Sequence, residues 1–320
     1  MSFVYGRKSF VEVAEDFARL LDEFQRLLVK HGSNTNVRNT KLGFYERQLK
    51  EISSLPNQDA AMLASIVTRY NLLNRLFPRP ENIKIKDADL MKLLEGASDL
   101  QEKGQEYNDT FFELSMALRF LPSEKATVNL DMTTICDVIV NEELAVECKY
   151  LHGIKGLRPN LSKGLKQLDE RVEKKLASYG FVALDLSALV DHQKIWNFAQ
   201  SVFSEFLGVY AKLEERNKLA AGGILQHATK DKNFEKIISS FVSLQIESVF
   251  YGELGDHEVE KMSKHCLGVL FQCSVDLVFE HDEELLPVSI RAMNYFINPS
   301  IPASQHDEIR HAIKNLASGI

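Results

Sequence analysis

Apolar residues in the first hundred positions fall at helical intervals. Phe10, Val13, Phe17, Leu20, Leu21, Phe24, Leu27 and Leu28 recur three and four apart, predicting a helix from Ser9 to Lys30 that stops at His31-Gly32. After the polar loop SNTNVRNT, KLGFYERQLKEISSL and DAAMLASIVTRYNLLNRLF predict two more helices, closed by Pro78 and Pro80. DADLMKLLEG predicts a shorter one. The pattern changes after Asn108: DTFFELSMALRFL is an apolar helix ended by Leu121-Pro122, and ATVNLDM, CDVIV and LAVECKYL are three strand-like runs. A charged helix from about Leu161 to Tyr179 and a fourth strand, FVALDLSAL, follow. HQKIWNFAQSVFSEFLGVYAKLEERN is an amphipathic helix. GGILQHA and SSFVSLQIESVFYG are candidates for further strands, and the last seventy residues read as mixed and mostly helical. No internal repeat or low-complexity tract interrupts this order.

Three regions result: an all-helical one over 1–105, a helix–three strands–helix–strand core over 106–190, and C-terminal helices with possible extra strands over 191–320. The fold class expected is α/β (α+β).

The strands carry charges that core strands avoid. In CDVIVNEELAVECKYL, Asp137 lies in the first run and Glu147 and Lys149 in the second. Side chains alternate faces along a strand, so Glu147 and Lys149 share a face that Cys148 does not. A two-residue turn would pair Asp137 with Cys148 and mix charge into both faces. A three-residue turn, Asn141 to Glu143, puts Val138, Val140, Leu144, Val146 and Cys148 on one face. The other face then holds Asp137, Ile139, Ala145, Glu147 and Lys149, with Asp137 opposite Glu147. The hydrophobic pattern selects this second register. Two opposed carboxylates repel, so the arrangement calls for a cation, and hard oxygen ligands suit a divalent metal. Glu113 stands in an apolar stripe with Met116, Ala117 and Phe120, pointing a third acid toward the core side.

Composition limits the function. At 320 residues and 45% hydrophobic, the chain can bury a sizeable core, and a net charge of −7 argues against a protein that coats nucleic acid over its whole surface. Locally the balance reverses: from Lys149 to Lys175 eight basic residues face three acidic ones. Within that run HGIKGLRPNLSKG reads as a flexible basic loop, and Lys155, Arg158 and Lys163 in it, with Lys166 just after it, are the candidate phosphate contacts. The alternative is an ordinary solvated loop and helix. Four cysteines without a CxxC pair suit a reducing cytoplasm, and no signal-like or membrane-spanning apolar run occurs, so no membrane partner is expected.

The element order, with an acid on the first helix, Asp137 at the second strand and Glu147-x-Lys149 on the third, resembles the PD-(D/E)xK nuclease superfamily, the restriction-endonuclease-like fold. The resemblance covers about residues 107 to 190, and Cys136 stands where the family's name puts proline. It implies a DNA-directed, Mg²⁺- or Mn²⁺-dependent hydrolysis of phosphodiesters, with RNA not excluded. Asp137, Glu147 and the backbone carbonyl of Cys148 would hold the metal. Lys149 would orient or help deprotonate the attacking water, and Glu113 would complete the shell. Gln167 resembles a glutamine that some branches add to the site, although Arg171 replaces the tyrosine they place one turn later. Paired sites would make a homodimer useful for double-strand cuts.

Other signals point elsewhere or nowhere. GIKGLRPNLSKG lacks GxxxxGK[ST], and no HExxH, GxSxG or dinucleotide fingerprint occurs. His265, Cys266 and Cys273 read as helix residues rather than zinc ligands. Trp196 and Phe198, spaced helically with Phe203 and Phe206, read as core. The plain reading of Lys149 is a salt bridge with Glu147 or Asp137 on an exposed sheet face, and two alternatives to a nuclease stay open: a nuclease-fold protein that binds nucleic acid or a partner without cutting, and a mainly helical interaction protein with a small structural sheet and no divalent metal at Asp137 and Glu147.

Overall fold

The helix predicted from residue 9 forms as α1 (Phe10–Lys30), opened by a reciprocal capping box between Ser9 and Glu12. The computed structural model describes residues 2–6, 8–77, 81–100, 107–121, 129–133, 137–216, 218–219 and 222–318. Helices α2 (Lys41–Lys50), α3 (Asn57–Asn71), α4 (Asp87–Lys92) and α5 (Tyr107–Phe120) follow where the apolar periodicity put them. The first hundred residues are not all helical, however. They contribute β1 (Ser2–Gly6) and β2 (Ile83–Lys84), the two edges of the sheet.

The middle of the chain runs β3 (Leu130–Asp131), β4 (Val138–Val140), β5 (Leu144–Tyr150), α6 (Leu157–Glu173) and β6 (Tyr179–Asp185). With α5 before them, this is the order helix, three strands, helix, strand. Helix α6 begins four residues earlier than the sequence suggests and absorbs most of the stretch read as a basic loop. Leu157, Leu161, Leu165 and Leu168 are buried at helical spacing, and Pro159 falls in the first turn, where its missing N–H costs nothing.

Three readings of the C-terminal third are corrected. GGILQHA lies in α8 (Gly223–Lys230) and SSFVSLQIESVFYG in α9 (Lys232–Glu253), after α7 (His192–Glu215). Phe234, Ile238, Val242, Ile246 and Phe250 bury one side of α9 at intervals of four, so spacing outweighs the strand preference of their side chains. After the one-turn α10 (Asp256–Glu260), the stretch taken as mostly helical forms a long hairpin, β7 (Cys266–His281) and β8 (Glu284–Ile297); α11 (His306–Ser318) closes the chain. Cys266 and Cys273 are therefore buried strand residues, and burial raises the Cys266 thiol to about 12.

Among the described residues all strands join one eight-stranded mixed sheet ordered β1-β8-β7-β6-β5-β4-β3-β2. Strands β5, β6 and β7 run parallel at its centre, and β4 returns antiparallel to β5. Helices α1 to α5 and α11 pack on the face presenting Val138, Val146, Cys148 and Ala183. Helices α6 to α9 pack on the face presenting Ile139, Ala145, Val182 and Phe271. The sheet is thus covered on both faces, as parallel strands require. Phe203 is buried in the second layer with Trp196 and Phe206 against it. Among the described residues no helix is long and apolar enough to cross a membrane.

Candidate active site

The β4–β5 hairpin has the three-residue turn and register that its hydrophobic pattern selects. Val138 pairs with Val146, Ile139 with Ala145 and Val140 with Leu144. Continued by one residue, that register sets Asp137 across from Glu147. The turn depends on left-handed backbone at Asn141 (φ 53) and Glu142 (φ 58). Asn141 tolerates this conformation, and its Oδ1 accepts a bond from the Asn129 N–H at 2.7 Å.

Glu147 has no exposed surface, and its Oε1 accepts a hydrogen bond from Lys149 Nζ at 2.7 Å. The same ammonium donates to the Cys148 carbonyl at 2.9 Å and lies 3.8 Å from Asp137 Oδ2. Asp137 is tied to the strand by the Cys148 N–H, at 2.5 Å. Two carboxylates and one carbonyl thus surround a single cationic nitrogen. These are the oxygens the sequence nominates for a metal.

Burial and mutual repulsion dominate the electrostatics. Burial, then the charge of Glu147, lifts Asp137 to about 7 against the pull of Lys149, the Cys148 N–H and Arg171. Burial, then Asp137, lifts Glu113 on α5 to about 8. Burial opposes the charge of Lys149, but Asp137 and Glu147 outweigh it, so the ammonium titrates above its ordinary value. The site carries more negative charge than one lysine neutralises, so a further cation is what would let Asp137 and Glu113 ionise together.

Glycine shapes the cover over this hairpin. A Cβ on Gly164 of α6 would lie 2.9 Å from Val182 Cγ1 and 3.8 Å from Glu147 Cγ, so the helix rests directly on both strands. One turn along that face stands Gln167, whose Oε1 is buried with no hydrogen-bond partner. Arg171 follows, almost wholly buried and 3.8 Å from Glu170.

In front of Lys149 lies an open cleft of about 720 Å³ lined by Asp109, Glu113, Tyr150, His152, Lys155, Asn160 and Lys163 among others. Of the four nominated phosphate contacts, Lys155 and Lys163 line it. Arg158 instead donates Nε to the Glu253 carbonyl at 2.7 Å, joining α6 to α9, and Lys166 lies on the exposed side of α6, 4.0 Å from Glu170. Asp109, Tyr150, His152 and Asn160 were not nominated from sequence. Asp109 lies four residues before Glu113, a spacing that could have revealed it. His152 Nε2 is 3.8 Å from Asp109 Oδ1, and its ring meets Tyr150 edge-on at 5.0 Å between centroids. Only the fold brings these together.

Among the described residues no three His, Cys, Asp or Glu side chains are gathered closely enough to share one ion. The donor set nevertheless suits a hard divalent cation, because one of its oxygens is a main-chain carbonyl and the others are carboxylates around a common centre. Cys136, beside Asp137, lies outside the described residues. In comparisons with protein-family models, curated proteins and solved structures, nothing matches this chain.

Proposed function

We propose that the chain is a metal-dependent nuclease that hydrolyses phosphodiester bonds, most simply in DNA, with Mg²⁺ or Mn²⁺ as cofactor. The observation carrying this reading is the convergence of Asp137, Glu147 and the Cys148 carbonyl on one cation at the back of a basic-rimmed cleft. The restriction-endonuclease-like core is part of the same reading. It is supported by the helix–three strands–helix–strand order and by the parallel placement of β5 and β6.

In this account Asp137, Glu147 and the Cys148 carbonyl hold the ion, and Glu113 contributes from α5. When bound, the ion supplies Lewis acidity toward a phosphate oxygen and an acidified water. Lys149 can give its ammonium to a phosphate oxygen and neutralise the charge that grows there as the water attacks. Lys155 and Lys163 hold the flanking phosphates by charge alone, without reading bases. Gln167, whose Oε1 is buried with no hydrogen-bond partner, can orient a water.

The test is cleavage of supercoiled plasmid and of linear single- and double-stranded DNA and RNA with Mg²⁺, Mn²⁺ or EDTA. Wild type is compared with Lys149→Ala and Asp137→Ala. Metal-dependent cutting lost in both variants is the expected result. If wild type retains nucleic acid without cutting it, a binding protein is left; if it does neither, the reading is overturned.

A further inference from the structure

The cleft in front of Lys149 has two unlike walls, because α5 and α6 pack on opposite faces of the sheet and both reach the end of β5. From α5 the cleft takes two acids, Asp109 and Glu113, and no base. From the β5–α6 connection and α6 it takes Lys155 and Lys163, and no acid. Neighbouring charges leave this balance as it is. Arg158 and Lys166 turn to Glu253 and Glu170, and Lys92, near Glu113, pairs with Asp89 at 2.8 Å. Arg69 stands over the Phe111 ring and lines a separate pocket behind Tyr150. His152, 3.8 Å from Asp109, adds positive charge only when protonated. Phosphates thus find cations on the floor and on one wall. One backbone can lie along that wall, whereas the second backbone of a duplex would face acids.

The basic wall also carries surface that a duplex leaves unused. The His152 side chain is 39% exposed and backed edge-on by Tyr150, and Ile154 is 43% exposed; both line the cleft. Gly153 between them is extended, at φ −171 and ψ 154, and a Cβ there would meet nothing within 4 Å. Extended backbone advances about 3.3 Å per residue, so the flanking Cα atoms stand about 6.6 Å apart. Bases along a strand are spaced by about 3.4 Å, so one base has room between the imidazole and the isoleucine. In a duplex both faces of a base are covered by its neighbours, whereas a single strand offers them to side chains. The size of the cleft agrees. A cube of 720 Å³ has an edge of about 9 Å, less than the width of about 12 Å of a duplex's major groove alone.

We infer that the cleft takes a single-stranded nucleic acid, with its backbone on Lys155 and Lys163 and one unpaired base between His152 and Ile154. The place of the scissile phosphate at Lys149 rests on the nuclease reading above; the grip on an unpaired base does not.

The experiment is fluorescence anisotropy of end-labelled oligonucleotides with the full chain, in EDTA and again in Ca²⁺. Single strands are compared with duplexes of the same sequence, in DNA and in RNA. The single strand should bind at least about tenfold tighter than its duplex in one sugar or both, and the same titrations read which. Ile154→Ser and His152→Ala should each weaken single-strand binding about fivefold or more, the loss of one base contact, and leave duplex binding unchanged. Both side chains are exposed, and urea midpoints check that the variants stay folded. His152→Phe keeps a flat ring without the charge and should retain wild-type affinity. Absence of binding overturns the inference, as does duplex binding as tight as single-strand binding in both sugars. So does unchanged affinity in both Ile154→Ser and His152→Ala, or a loss in His152→Phe as large as in His152→Ala. Single-strand binding without cutting in Mg²⁺ or Mn²⁺ would strike the nuclease reading and keep this one. Duplex cutting without a single-strand preference would do the reverse.

Discussion

Lys149 Nζ lies 2.7 Å from Oε1 of Glu147, a carboxylate with no exposed surface. Removing the lysine leaves that carboxylate buried without its cation, which costs about 3–5 kcal/mol when one member of a buried pair is deleted. Lys149→Met should therefore lower stability by about that amount. Glu147→Gln should cost less, because Lys149 keeps Asp137 and the Cys148 carbonyl within reach. The double variant should recover part of the loss. Urea midpoints in EDTA would measure the cycle, and additivity within about 0.5 kcal/mol would show that the pair is not coupled.

Divalent ions should stabilise the folded chain through the same oxygens. At a free concentration 100 times its Kd, a ligand that binds only the folded state adds about 2.7 kcal/mol. Thermal melts with and without Mn²⁺ should show a rise in Tm for wild type that is lost in Asp137→Asn. This readout needs no substrate, so it separates ion binding from turnover. An equal shift in both proteins would place the ion elsewhere.

The hairpin that carries the site was legible from sequence because only one register separates its apolar and charged faces, and Val138↔Val146 is that register. The β7–β8 hairpin was not. Both faces of β7 are covered, so Val269, Leu270, Phe271 and Cys273 form a nearly continuous apolar run with little alternation to read. Its two-residue turn uses Asp282 and Glu283, at φ 49 and 65, without the glycine or asparagine that usually marks such a turn. The acids and lysine of the site were visible as anomalies in strands. His152 and Asn160 were not, because loop and helix positions become neighbours only after α5 and α6 pack on opposite faces of the sheet.

Gly164 lets two opposing effects be compared. Alanine in a helix interior is about 1 kcal/mol better than glycine, yet the new Cβ would sit 2.9 Å from Val182 Cγ1. Overpacking of a tight core typically costs about 1–3 kcal/mol. Steric strain should win, so Gly164→Ala should be neutral to destabilising and Gly164→Leu clearly destabilising. Adding Val182→Ala should bring Gly164→Ala above Val182→Ala alone, since the cavity then accepts the methyl. Denaturant midpoints of the four proteins decide this, and a stabilised Gly164→Ala single variant would refute the close packing of α6 on β6.

Lys41, at the start of α2, is 1% exposed, and its Nζ lies 2.8 Å above the Tyr107 ring centroid. Burial pulls its pKa from 10.5 down to about 7, with Glu95 opposing and Arg69 adding to the shift. Below about pH 7 the folded and unfolded chains both carry the proton on Lys41. Between about pH 7 and 10.5 the unfolded chain still holds it and the folded chain has released it. The unfolded state binds more protons there, so stability contributed by Lys41 rises with pH through this window and is lost as pH falls back toward 7. The slope is at most about 1.4 kcal/mol per pH unit. Lys41→Met removes the titration. Relative to that variant, wild type should gain about 2–3 kcal/mol between pH 6 and pH 9, read from urea midpoints at the two pH values. A constant difference would mean that the aromatic rings keep the ammonium charged across the whole range.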